Sequence, residues 1–177
     1  MPVKLRLIQP FVLAGIALIA FSSTAVAATT YHEKVAGVEI AFAPNGCAQG
    51  VDASSFAGGA SGDVRGNFTA TICHTPLAGS AQIKPGGLFT LSGQSASGQP
   101  IVPVTGHFTG GSVEFIGAGH FGTFCFQNFR VQGGLVSETA PTATDGFLGV
   151  LTHYGTWNGS SCNVTFATVA GQATITA

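Results

Sequence analysis

The stretch Val64-Arg65-Gly66-Asn67-Phe68-Thr69-Ala70-Thr71-Ile72-Cys73 decides the fold. Phe68, Ala70 and Ile72 share one parity, and Asn67, Thr69 and Thr71 share the other. Successive side chains of a β-strand point to opposite faces, so this pattern describes a strand with one face in a core and one in water. Val102, Val104 and Phe108 alternate in the same way with Thr105 and His107, as do Cys162, Val164 and Phe166 with Asn163 and Thr165. No stretch sustains a helical period, and Gly and Pro interrupt the chain throughout.

Working outward, strands are predicted over 35–42, 64–73, 81–84, 88–92, 101–108, 112–116, 121–131, 147–157, 162–169 and 173–176. Lys84-Pro85-Gly86-Gly87, Gly110-Gly111 and Asn158-Gly159 read as tight hairpin turns. The Ser/Ala/Gly-rich segment 53–63 reads as a mobile loop, and 93–100 and 137–146 read as loops too. A weak repeat links Gly66-Asn67-Phe68-Thr69, Gly87-Leu88-Phe89-Thr90, Gly106-His107-Phe108-Thr109 and Gly119-His120-Phe121-Gly122. Its steps are too uneven for a solenoid. It fits strands that each turn on a Gly and then send a Phe inward. The expected fold is a single all-β antiparallel meander of about 8–10 strands, closed as a barrel, with a two-sheet sandwich as the alternative.

The first residues read as a targeting segment. Lys4 and Arg6 precede an apolar run from Phe11 to Phe21, and Ala25-Val26-Ala27 supplies the small-x-small cleavage pattern. The run is short for a membrane span of about 20 residues. Residues 1–27 are therefore expected to be a signal peptide and 28–177 a single secreted domain, extracellular or periplasmic, with no transmembrane span after cleavage. An outer-membrane barrel of this size is conceivable, but the four cysteines and the non-aromatic end at Ala177 speak against it.

All four cysteines, Cys47, Cys73, Cys125 and Cys162, fall in the secreted part, where an even count reads as disulfides. Three pairings are possible. The sequential one, Cys47–Cys73 with Cys125–Cys162, closes the shorter loops and is favoured on that ground. No Cys-x-x-Cys occurs, which argues against zinc or a thioredoxin-like site.

Seven acids face only four bases after residue 27, namely Lys34, Arg65, Lys84 and Arg130. Four scattered cations cannot track a phosphate backbone, so nucleic acid is not an expected partner. The histidines His32, His74, His107, His120 and His153 lack metal-ligand spacing, so no metal and no cofactor is expected. No Gly-x-Ser-x-Gly marks a nucleophile, and no pair of carboxylates stands out, so no catalytic residue is assigned. The binding candidates are His153, Tyr154 and Trp157, just before the Asn158-Gly159 turn. A wet aromatic at a hairpin tip can stack on a sugar or anchor a partner. Trp157 shares strand parity with Leu151, which favours a core position and sets His153 beside it. Three Asn-x-Ser/Thr sequons, at Asn67, Asn158 and Asn163, read as chance matches. The chain is thus expected to be a non-enzymatic secreted β-domain that binds an unidentified ligand or surface partner. A self-associating envelope protein and a small hydrolase or isomerase with its site in a barrel mouth are the alternatives.

Overall fold

A computed structural model describes residues 27–177; the expected signal peptide lies almost wholly outside them. The described chain forms one antiparallel sheet of nine strands: β1 (Thr30–Ala48), β2 (Val51–Gly62), β3 (Val64–His74), β4 (Ser80–Lys84), β5 (Leu88–Ser95), β6 (Val104–Phe121), β7 (Phe124–Ser137), β8 (Asp145–Trp157) and β9 (Cys162–Thr176). No helix long and apolar enough to cross a membrane occurs among the described residues.

Each strand pairs with its sequence neighbours, except that β4 and β5 do not pair with each other. Both bridge β3 and β6, β4 at one end and β5 at the other. β9 returns to β1, from Thr30↔Thr176 to Val38↔Thr168. The ladder therefore closes into a ring of eight strand positions. Each named strand has partners on both sides, which removes the unpaired edges that promote association.

Phe and Gly together explain how so small a ring curves. Phe68, Phe89 and Phe108 all point inward, as the repeat implied. Their glycines, however, do not all turn the chain: Gly66 and Gly106 lie within strands. Gly106 pairs with Phe89, and a Cβ there would sit 2.6 Å from the Phe89 ring. A Cβ on Gly37 would sit 2.8 Å from the Phe68 ring, and one on Gly149 2.5 Å from the Phe147 ring. Rings thus lie over glycine backbone on the inner face, where tight curvature leaves no room for two side chains. The fourth unit departs from this pattern. Phe121 stands at the tip of the β6–β7 hairpin, 88% exposed.

Four further expectations are corrected. Segment 53–63 is not a loop; it belongs to β2, which pairs with both β1 and β3. Gly110-Gly111 is no hairpin but an irregularity within β6. Both residues have positive φ, and the register slips there between Phe108 and Gly110. Lys84-Pro85-Gly86-Gly87 does turn, with Gly86 at φ 111°, but it sets β4 and β5 end to end along β3 instead of pairing them. Segments 173–176 and 162–169 are one strand, β9.

The two ends of the ring differ. At the end where β3 begins and β9 finishes, Val64, Phe89, Leu91, Phe108, Leu135 and Ile175 pack into the core. Buried polar groups latch this end shut. Glu33 Oε1 accepts from Val64 N–H at 2.7 Å, and Asp145 accepts from both the Thr176 N–H (2.6 Å) and its hydroxyl (2.9 Å). Ser137 Oγ donates to the Thr176 carbonyl at 2.6 Å, and Thr29 and Ala177 exchange backbone hydrogen bonds. Both disulfides lie at the opposite end. They join Cys47 to Cys73 and Cys125 to Cys162, with Cα–Cα distances of 5.8 and 5.7 Å, the sequential pairing expected.

Candidate functional site

The disulfide-bearing end opens into a cavity of about 490 Å³. The pocket among the core residues of the latched end measures only about 60 Å³ and is lined mostly by apolar side chains. The larger space falls within the range of small-molecule sites, about 300–1,000 Å³. Its walls combine Phe56, Ile72, Ile83, Val131 and Leu151 with seven polar side chains: Glu39, Asp52, Ser54, His74, Gln127, His153 and Thr165. No Lys or Arg lines it.

Strand parity places each polar group. On β2, Asp52, Ser54 and Phe56 alternate inward, so the polar residues continue the core face toward the mouth. On β3 the inward set that begins at Val64 ends at His74. On β1 an irregularity between Glu39 and Ala41 lets both Glu39, opposite Phe56, and Phe42, opposite Ser54, reach the cavity. The far end of β1 is tied down locally. Asn45, at φ 55°, donates its N–H to Asp52 Oδ1 at 3.0 Å and accepts from Gly50 N–H at 2.6 Å. The Cys47–Cys73 bond fastens the same segment to β3 immediately before His74.

One contact in this wall has a defined polarity. Ser54 Oγ lies 3.0 Å from His74 Nε2, and His74 Nδ1 lies 2.8 Å from the Thr75 carbonyl oxygen. A carbonyl only accepts, so Nδ1 carries the proton and Nε2 accepts from the Ser54 hydroxyl. The Phe42 ring lies 6.3 Å from the His74 ring, tilted by 31°.

The three binding candidates are not brought together. His153 faces the cavity, its ring 5.1 Å from that of Phe129. Burial lowers its pKa from 6.5; Glu39 opposes the shift and His74 adds to it. Tyr154 points to the other strand face, where its ring stacks on Phe166 at 4.8 Å and lies 5.9 Å from Phe124. Trp157 keeps the parity of His153 but lies farther toward the hairpin end. It is half-buried, its ring stacked on His120 at 4.5 Å and 2°. It is therefore neither a full core residue nor a free platform.

Sequence reading passed over Glu39, Asp52, Ser54 and Gln127, and weighed His74 only as a metal ligand. The only trace was the parity of Asp52, Ser54 and Phe56, which the surrounding small residues obscured. No group of three or more His, Cys, Asp or Glu side chains placed to hold a metal ion occurs among the described residues. No protein-family model, curated protein or solved structure matches the chain.

Proposed function

We propose that this chain is an exported binding domain, barrel-like in closure, that takes a small and mostly apolar molecule into the cavity at its disulfide-bearing end. The carrying observation is the cavity itself: about 490 Å³ of space with apolar walls and a few convergent polar groups. Glu39 and Asp52 bring negative charge, no Lys or Arg offsets it, and burial disfavours protonation of His153. Such a site accepts neutral or cationic ligands and rejects anions, because a like charge in a poorly solvated space is costly. The two disulfides fit an oxidising compartment, which supports export and removal of residues 1–27.

The test compares two probes with one skeleton. Phenylnaphthylamine is neutral, and its sulfonated analogue carries a negative charge. The neutral probe should bind with a blue-shifted, enhanced emission, and the sulfonate at least about tenfold more weakly, equivalent to about 1.4 kcal/mol. Val164→Trp, at the cavity wall, should abolish binding without unfolding the chain. Equal affinity for the two probes, or binding untouched by Val164→Trp, refutes the reading.

The outer face offers a second, weaker site. Phe124, Tyr154 and Phe166 form a partly exposed aromatic row, which suits a surface partner.

A further inference from the structure

We infer that the cavity carries out acyl transfer, with Ser54 as nucleophile and His74 as its base, on small neutral hydrophobic esters. The inference rests on the cavity being a ligand site and adds chemistry to it. A hydroxyl is a weak nucleophile unless a base holds its proton in a hydrogen bond and a third group orients that base. All three parts are present. The Ser54 hydroxyl donates to His74 Nε2 at 3.0 Å, and the Thr75 carbonyl holds His74 Nδ1 at 2.8 Å in the tautomer that leaves Nε2 free to accept. Asp52 faces His74 directly across the β2–β3 ladder and is itself a cavity residue, so a carboxylate stands near the imidazolium that would form.

The geometry is built into the strands. Ser54 and His74 are diagonal neighbours on one inward face, since Asp52 pairs with His74 and Ser54 with Ile72. Diagonal side chains across a ladder are within reach of one another. The Cys47–Cys73 bond and the Asn45–Asp52 hydrogen bond hold the surrounding backbone. A buried serine that merely needed a partner would not require the histidine to face a large cavity. Here both residues line it, and Ser54 remains 8% exposed.

The steps balance without any further reagent than water. Ser54 Oγ bonds to the ester carbonyl carbon while its proton passes to His74 Nε2. The carbon–oxygen bond to the alcohol then breaks, and Nε2 returns the proton to the departing alkoxide. Water next attacks the acyl carbon, gives a proton to Nε2, and the bond to Ser54 Oγ breaks as Ser54 recovers that proton. Gln127 and His153, paired across β7 and β8, line the same cavity and bring N–H donors to it for the developing oxyanion. The product is a carboxylate, which Glu39 and Asp52 repel, so the charge that selects a neutral substrate also expels the product.

The experiment treats the oxidised, exported chain with a fluorophosphonate probe and maps the adduct by mass spectrometry. A single adduct at Ser54 is expected, absent after urea unfolding. His74→Gln should slow labelling about a hundredfold or more, the scale of a general base, while its far-UV circular dichroism matches that of the wild type. A p-nitrophenyl butyrate assay should lose its protein-dependent rate in Ser54→Ala. Absence of the Ser54 adduct from the folded wild-type chain overturns the inference whether or not the variants fold. Equal labelling of His74→Gln overturns it too. Retained probe binding alongside either result leaves the binding reading standing, whereas loss of probe binding in the wild type defeats that reading first.

Discussion

The two ends of the ring solve opposite problems with the same strands. At the latched end Phe89, Leu91, Phe108 and Leu135 fill the interior, and carboxylates and hydroxyls tie the last backbone groups together. At the cavity end the same inward parity delivers Asp52, Ser54, His74, Gln127 and His153, and the core gives way to free volume. An interior that is not filled loses the contacts that would have stabilised it. Both disulfides lie at that end, where they restrict the unfolded chain and hold the rim in place of a core. Stability is thus concentrated at one end and binding capacity at the other, and the strands run through both.

The sharpest way to break this comparison is to truncate equivalent aromatic side chains at the two ends. Phe108→Ala should cost about 3–5 kcal/mol in urea unfolding, as for other buried aromatics. Phe42→Ala, on a half-exposed ring at the mouth, should cost no more than about 1 kcal/mol. Similar costs would mean that the two ends are packed alike.

Reduction is the next largest effect. Losing each disulfide should cost about 2–4 kcal/mol. The loss should be local first. Hydrogen exchange after reduction should accelerate in residues 45–54 and 155–164, while 64–70 and 104–108 keep their protection. Uniform acceleration would contradict the division of labour.

Glu33 tests the latch. It is 2% exposed, and its Oε2 has no partner. Burial, the largest cause, raises its pKa above 4.5, against the lowering effect of the Val64 N–H. A raised folded-state pKa means that the folded chain binds the proton more tightly than the unfolded chain does. Stability from this group is therefore present below pH 4.5 and is lost as pH rises through the folded value. Glu33→Gln should flatten that fall, read from urea midpoints across pH. Glu33→Ala should destabilise at every pH by about 1–3 kcal/mol, because the buried Val64 N–H loses its acceptor. His153 behaves in the opposite sense at the other end. Its lowered pKa favours the neutral folded form, so its contribution is lost as pH falls below 6.5. NMR titration should place its midpoint below that of a free imidazole.

The smallest effect concerns Trp157. Its stacking on His120 should be worth about 0.5–1.5 kcal/mol beyond its buried area. Acrylamide quenching should fall between that of a free and a fully buried indole, and His120→Ala should raise it.

Much of the strand pattern was legible because the latched half of the ring obeys the usual alternation. Val64 to Ile72 and Val104 to Phe108 follow that pattern, whereas the alternation of Cys162, Val164 and Phe166 did not mark the core, which takes Ala167 and Val169 instead. The cavity half hid itself for a physical reason. A strand that faces an empty, polar space has no need of apolar residues, so β2 reads as Ala, Ser and Gly and resembles a loop. The dyad was hidden as well. Ser54 and His74 lie twenty residues apart and meet only through the β2–β3 register. Phe121 shows the converse, a motif that looks like core but ends a hairpin in solvent. The disulfide pairing was reached by loop length alone, and in this closed ring the shorter loops also join neighbouring regions of the rim.

The most direct measurement of the central claim is an amide NMR titration of the oxidised chain with phenylnaphthylamine. Shifts should concentrate at Glu39, Ser54, His74, Gln127 and His153, with Val64, Leu91 and Leu135 unmoved. Shifts spread over both ends, or confined to Phe124 and Tyr154 on the outer face, would contradict the account.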